Sequence, residues 1–148
     1  MSRLIVLLYG VVSYFIGVIG LVAIIVVLAG FMPWGFLHDG SYGSSQPIVW
    51  NSLLVLIWGA VHTYMARPSF KAVLTKFIPE AAERPTYVLV AGLTSVALVG
   101  YWAMVPGQVW HVEAGSAAVL LWALFWFGWV FLLASIFAIN HFDLFGLR

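Results

Sequence analysis

Apolar residues run without a charge from about Leu4 to Phe31, and again from Ile48 to about Ala66, from about Thr86 to Met104 and from Ser116 to about Ile139. A helix rises about 1.5 Å per residue, so roughly 20 mostly apolar residues cross the hydrocarbon of a bilayer. Prolines punctuate the runs: Pro33 follows the first, Pro85 precedes the third and Pro106 closes it. The pattern predicts four membrane-spanning helices, about 4–31, 48–66, 86–104 and 116–139. Val27-Leu28-Ala29 has the small residues of a signal cleavage site, but secretory apolar stretches run about 7–15 residues. The first run is far longer, so it is read as a retained helix that tilts or protrudes.

Between the second and third runs the period changes. Phe70, Val73, Leu74, Phe77 and Ile78 recur at i, i+3, i+4, i+7 and i+8, an amphipathic helical stripe over about 69–78. Pro68 suits its first turn and Pro79 ends it. Lys71, Thr75 and Lys76 fall off the stripe. Such a helix lies in the membrane interface with its lysines toward anionic headgroups, or packs on the end of the bundle; both placements use the same pattern. The connection Met32–Pro47 is rich in Gly, Ser and Pro and reads as a plain loop.

Composition turns the pattern into a solvent. Of 148 residues, 64% are hydrophobic and 7% charged, and the mean hydropathy is +1.09. A water-soluble surface needs about a quarter of residues charged, so the solvent here is lipid. The chain reads as one all-α transmembrane domain, residues 1–148, a polytopic membrane protein of four spans with a short interfacial helix. The net charge of +1 gives no reason to expect a nucleic-acid partner. With no cysteine, disulfides, thiolate metal sites and a cysteine nucleophile are excluded. His38 and Asp39 are adjacent but too few to make a metal site.

Charge then orients the spans. Arg3 precedes the first; Arg67, Lys71, Lys76 and Arg84 lie between the second and third; Arg148 follows the fourth. The other two connections carry no lysine or arginine, so by the positive-inside rule both termini face the cytoplasm. An odd number of spans would break this segregation.

Several side chains stand out within the spans. Gly10, Ser13, Gly17 and Gly20 fall on one face of the first, as small residues do where membrane helices approach closely. Trp122, Trp126 and Trp129 line one face of the fourth, suited to packing, to lipid, or to an aromatic wall beside an apolar or cationic ligand. Asn51, Trp58 and His62 share a face of the second, and their polar atoms are expected to point into the bundle. His62, Arg67, Glu83, Arg84, Asn140, His141, Asp143 and Arg148 all occur at one membrane level. They mark the interface, or they bring two histidines that exchange protons near neutral pH to one site.

Three segments carry a resemblance. His62-Thr63-Tyr64-Met65-Ala66-Arg67-Pro68-Ser69-Phe70-Lys71, Glu83-Arg84-Pro85-Thr86-Tyr87-Val88-Leu89 and Asn140-His141-Phe142-Asp143-Leu144-Phe145-Gly146-Leu147-Arg148 resemble successive motifs of the bacterial methanethiol S-methyltransferases. Those enzymes are grouped with the nurim family and related to isoprenylcysteine carboxyl methyltransferases. The opening Met1–Gly10 is similar too; Pro85 stands where serine is expected. The resemblance implies an enzyme of the bacterial inner membrane that uses S-adenosylmethionine to methylate a small thiol, methanethiol, giving dimethyl sulfide. It also implies further helices after Arg148 carrying an Arg-His-Pro motif and paired glutamates, the cofactor-binding region. The chain is therefore expected to be the N-terminal part, inactive alone.

A thiol must become a thiolate to attack, which asks for a base or a positive field. His62 and His141 are the candidate bases, Asp143 the carboxylate that orients one of them, and Arg67, Arg84, Asn140 and Trp58 the groups near substrate and cofactor. Two other functions keep a place: a non-catalytic nurim-type scaffold or subunit, and a small proton or solute carrier using the histidines.

Overall fold

The computed structural model describes residues 3–38, 46–107 and 111–144, with side chains up to Ala138. Among them every regular element is helical: α1 (Arg3–Leu28), α2 (Gln46–Met65), α3 (Pro68–Leu74), a 3-10 turn (Glu80–Ala82), α4 (Glu83–Gly100) and α5 (Ser116–Leu144). Among the described residues three stretches are long and apolar enough to cross a membrane: α1, α2 and Ser116–Ala138 of α5. The chain is a membrane protein. The third predicted span, about 86–104, coincides with α4, which is 18 residues long and opens on the charged pair Glu83-Arg84.

Helix α1 stops at Leu28 rather than Phe31 because Gly30 turns the chain at φ 75°, with its N–H donated to the Val27 carbonyl. The small-residue face of α1 packs on α4. Gly10, Ser13, Gly20 and Val27 are buried on one side, Pro85, Val88, Gly92, Ser95 and Val99 on the other. Both sets follow the three-and-four spacing of a heptad seam. At the crossing, a β-carbon on Gly92 would stand 2.4 Å from the Ile16 carbonyl oxygen and 2.8 Å from the Gly17 Cα. Only hydrogen fits there, and the backbones gain the close contact that holds membrane helices together.

Pairwise contacts fix the directions. Tyr9 meets Thr86, Gly20 meets Gly92, and Gly35 meets Val99, so α1 and α4 run parallel. Asn51 meets Ala103, Trp58 meets Ser95 and His62 meets Tyr87, so α2 runs against them. Phe31 stacks on Trp126 with ring centroids 6.5 Å apart, which places the segment after α1 beside α5.

Residues 29–38 depart from the plain loop expected of this connection. Gly35, at φ 71°, donates its N–H to the Val99 carbonyl at 2.9 Å, and Leu37 donates to Gly100 at 2.7 Å. These bonds satisfy carbonyls that the end of α4 leaves without an intrahelical partner. Trp50 Nε1–H donates to Tyr101 O at 2.7 Å, and the buried Asn51 amide both donates to Ala103 O and accepts from Ala103 N–H, at 2.7 and 2.8 Å. The end of α4 is thereby stitched to α1 and α2. The remainder of the connection, with Asp39, lies outside the described residues.

The amphipathic segment is helical over 68–74 and continues in turns to Ile78, with Phe77 N–H donating to Leu74 O. Its stripe divides. Phe70, Leu74 and Ile78 are half-buried, and Phe70 packs on Tyr64 at 5.0 Å, while Val73 and Phe77 are exposed, Phe77 to 82%. The Lys71 ammonium lies 2.9 Å from Glu83, tying α3 to the first turn of α4. A carboxylate there also faces the positive end of the helix dipole.

Candidate functional site

Among the described residues, the last turn of α2 and the first turns of α4 build a cluster of aromatic and titratable side chains that coincides with the sequence motifs. His62 is half-buried on α2. Its Nδ1 lies 2.7 Å from the Trp58 carbonyl oxygen, one turn back. A carbonyl only accepts, so Nδ1 carries the proton and Nε2 keeps the lone pair in the neutral ring. The Trp58 indole lies against the imidazole at 4.3 Å between centroids, tilted by 39°, and Tyr87 of α4 presents a ring at 6.1 Å and 82°. Trp58 Nε1–H donates to Ser95 Oγ at 3.1 Å. Asn51, Trp58 and His62, expected to point into the bundle, share the face that meets α4 and the residues just after it, which is the third predicted span rather than the fourth. Asn51, however, sits at the far end of it and holds Ala103 rather than joining the histidine.

Beside His62 the polar contacts continue. Tyr9 Oη and Thr86 Oγ1 are 2.8 Å apart, and Thr86 Oγ1–H donates to Ala82 O at 2.7 Å, so the phenol is the donor to Thr86. Arg67 precedes α3 and Arg84 follows Glu83; both are exposed at this end of the bundle. Helix α5 extends through Leu144, so Asn140, His141 and Asp143 lie on its last turns rather than beyond it. Their side chains, and with them any approach of His141 to His62, lie outside the described residues, as does Arg148. Two grooves lined by described residues lie elsewhere. One of about 510 Å³ lies beside Asn51 and Trp102, the other, about 500 Å³, between Leu28, His111 and Trp122, both toward the opposite end of the helices. Phe125 is the hub of the aromatic face of α5, at 5.1–6.2 Å from Trp122, Trp126 and Trp129.

Tyr87 and Ser95 were not singled out from the sequence. They stand eight residues apart, about two turns, on the face of α4 that meets α2. A hydroxyl in mid-span was the available signal.

Along its whole length the chain aligns with curated enzymes. It is 38% identical to a methanethiol S-methyltransferase of Mycobacterium tuberculosis over 100% of this chain and 61% of the relative. It is 37% identical to methanethiol S-methyltransferase 2 of Bradyrhizobium diazoefficiens, over 99% of this chain and 57% of that one. A methanethiol S-methyltransferase of Crocosphaera subtropica is 37% identical over 100% and 58%. The chain is a homologue of the methanethiol S-methyltransferases. It spans about three fifths of the length of these relatives. No family model matches it, and no solved structure does.

The surroundings of His62 fit part of S-adenosylmethionine. Aromatic rings such as Trp58 and Tyr87 attract a sulfonium cation, and the exposed guanidinium of Arg67 suits its carboxylate. Among the described residues the adenosine end finds no matching set, because nearby polar atoms are already engaged: Trp58 with Ser95, Lys71 with Glu83, Thr86 with Ala82.

Proposed function

We propose that this chain forms one wall of a membrane-embedded methanethiol S-methyltransferase, on which His62 takes the proton of the thiol. The observation that carries the reading is the bond from His62 Nδ1–H to Trp58 O, which leaves Nε2 as the basic atom of a half-buried, ring-bounded imidazole. Transfer of the S–H proton to Nε2 gives methanethiolate and an imidazolium. Arg67 and Arg84 add positive field that lowers the thiol pKa. His141 is the second candidate base at this membrane level, with Asp143 to orient it and Asn140 near the substrates. S-adenosylmethionine would supply the electrophilic methyl group that turns methanethiolate into dimethyl sulfide. The names of the relatives support the thiol substrate and the reaction.

The same reading extends to the membrane. Helix α4 follows α1 from Tyr9–Thr86 to Gly35–Val99, so a bilayer crossed by α1 is crossed by α4 as well. With α2 antiparallel to both, this supports four spans in one domain; the segregation of the basic residues argues for both termini inside, and the resemblance for the bacterial inner membrane. Helix α3 then lies at the cytoplasmic surface, with Phe77 toward acyl chains and Lys76 toward headgroups.

The test uses cells given methanethiol, with headspace dimethyl sulfide measured. The 148-residue chain alone is expected to yield none. Fusion of the remaining helices of a relative after Arg148, where the resemblance puts them, is expected to restore product. In that fusion His62→Gln should lower the rate by about 10²-fold or more, the usual worth of a general base. Undiminished product with His62→Gln refutes the assignment, and a folded fusion that makes no product favours a scaffold.

A further inference from the structure

We propose that Ser95 is a positioning residue for His62, acting through the Trp58 indole to hold the imidazole in the tautomer whose Nε2 is basic. The inference rests on the reading of His62 as the base.

The geometry is a chain of restraints between two antiparallel helices. Ser95 is 7% exposed, in the middle of α4. Its Oγ accepts the Trp58 Nε1–H at 3.1 Å, which fixes the indole in the helix interface. That indole lies against the imidazole at 4.3 Å, and the Tyr87 ring stands at 6.1 Å and 82° to it. Between these rings the imidazole keeps Nδ1 at 2.7 Å from Trp58 O. Trp58 thus contributes twice, with its ring as a wall and its carbonyl as the acceptor that selects the Nδ1–H form.

Packing alone does not call for a hydroxyl at position 95. Apart from Ser95, the buried face of α4 is made of proline, valine and glycine, and alanine would fill the site without a polar atom to satisfy. The hydroxyl has a use because an indole N–H buried in lipid without an acceptor is costly. Remove the acceptor, and the indole turns toward another partner. The imidazole then loses a wall and gains freedom to rotate about its side-chain torsions. A free imidazole in water favours the opposite tautomer, with the proton on Nε2 and no basic nitrogen there. The restraint therefore changes which nitrogen can take the thiol proton.

The experiment reads the tautomer directly and needs no turnover. The full chain, labelled with ¹⁵N-histidine and reconstituted in phospholipid nanodiscs, is examined at a pH where His62 is neutral, with His62→Gln used to assign its signals. In the wild type, Nδ1 is expected to resonate as a pyrrole-type nitrogen and Nε2 as a pyridine-type one. Ser95→Ala and Trp58→Phe should each shift the ratio of the two tautomers by roughly tenfold toward Nε2–H, as the loss of one net hydrogen bond implies. Ser95→Thr, which keeps the hydroxyl, should restore the wild-type ratio. A purely structural serine predicts no change in Ser95→Ala, since alanine keeps the volume and favours the helix. Should Ser95→Ala fail to fold, seen as altered His38 and His111 signals together, the wild-type spectrum with Trp58→Phe and Ser95→Thr decides. A wild-type signal with the proton on Nε2, or variants that keep the Nδ1–H form unchanged, overturns the proposal. A fixed tautomer in a fusion that makes no dimethyl sulfide would refute the methyl-transfer reading and leave this one standing.

Discussion

Asn51 and Ser13 are both buried polar residues in apolar helices, and their surroundings give them opposite energetic signs. Asn51, 5% exposed, satisfies the N–H and C=O of Ala103 with its one amide. Leucine has similar bulk but leaves both backbone groups unpaired in a buried setting. A buried unsatisfied group costs about 1–3 kcal/mol, so Asn51→Leu should lower the thermal midpoint in detergent by several degrees and expose Tyr101–Ala103 to proteolysis. Ser13 is fully buried on α1, and its Oγ has no hydrogen-bond partner. Removing that oxygen removes a desolvated group and raises helix propensity, so Ser13→Ala should leave the midpoint unchanged or raise it. A clear loss of stability in Ser13→Ala would show that the hydroxyl has a partner in the membrane. Helix-face spacing turned both residues toward other helices, Asn51 as a polar group and Ser13 as a small residue of a packing face. What each one meets depends on a neighbouring helix, and that information is not local.

At the scale of elements, glycine decides which helices touch. Gly92 and Gly20 meet backbone to backbone, whereas a β-carbon at Gly59 or Gly128 would meet nothing within 4 Å. Gly92→Ala must push α1 and α4 apart, at a cost of about 1–3 kcal/mol for overpacking, and Gly92→Leu should stop them docking. Gly128→Ala should be neutral or stabilising by up to about 1 kcal/mol, from helix propensity alone. Thermal unfolding in the same detergent separates the two, and equal effects would refute the seam. The α1 half of this seam was legible as small residues on one face. The α4 half was not, because Pro85, Val88, Ser95 and Val99 look ordinary one at a time and become a stripe only opposite their partner. Pro85 also misled the start of α4. It was placed before the helix, and it fits inside the first turn, where no intrahelical N–H is required. The division of the α3 stripe was hidden for the same reason as the α4 seam: periodicity marks an apolar face without naming what covers each edge.

For the whole molecule, the number of spans was read from the apolar runs and from where the basic residues fall, and the contacts between helices supply a separate argument for it. Parallel α1 and α4 with α2 reversed is the arrangement that a down-and-up chain of spans requires. The candidate site was legible at His62 and Trp58, through helix-face arithmetic and the motif. It stayed incomplete at Tyr87 and Ser95, because a face can be computed from one helix and a meeting of faces cannot. The topology itself is open to a direct test that the sequence makes simple, since the chain has no cysteine of its own. Single cysteines at Lys76, exposed after α3, and at Glu113, exposed before α5, place one thiol in each kind of connection. If α4 crosses the membrane with the other three, these thiols lie on opposite sides. In intact cells a membrane-impermeant maleimide should label Glu113→Cys and leave Lys76→Cys unlabelled until the membrane is permeabilised. Were α4 to lie on the surface instead, three spans would remain, and both thiols would react alike. Labelling of both in intact cells, or of neither, would therefore refute the four-span arrangement, and labelling of Lys76→Cys alone would invert it.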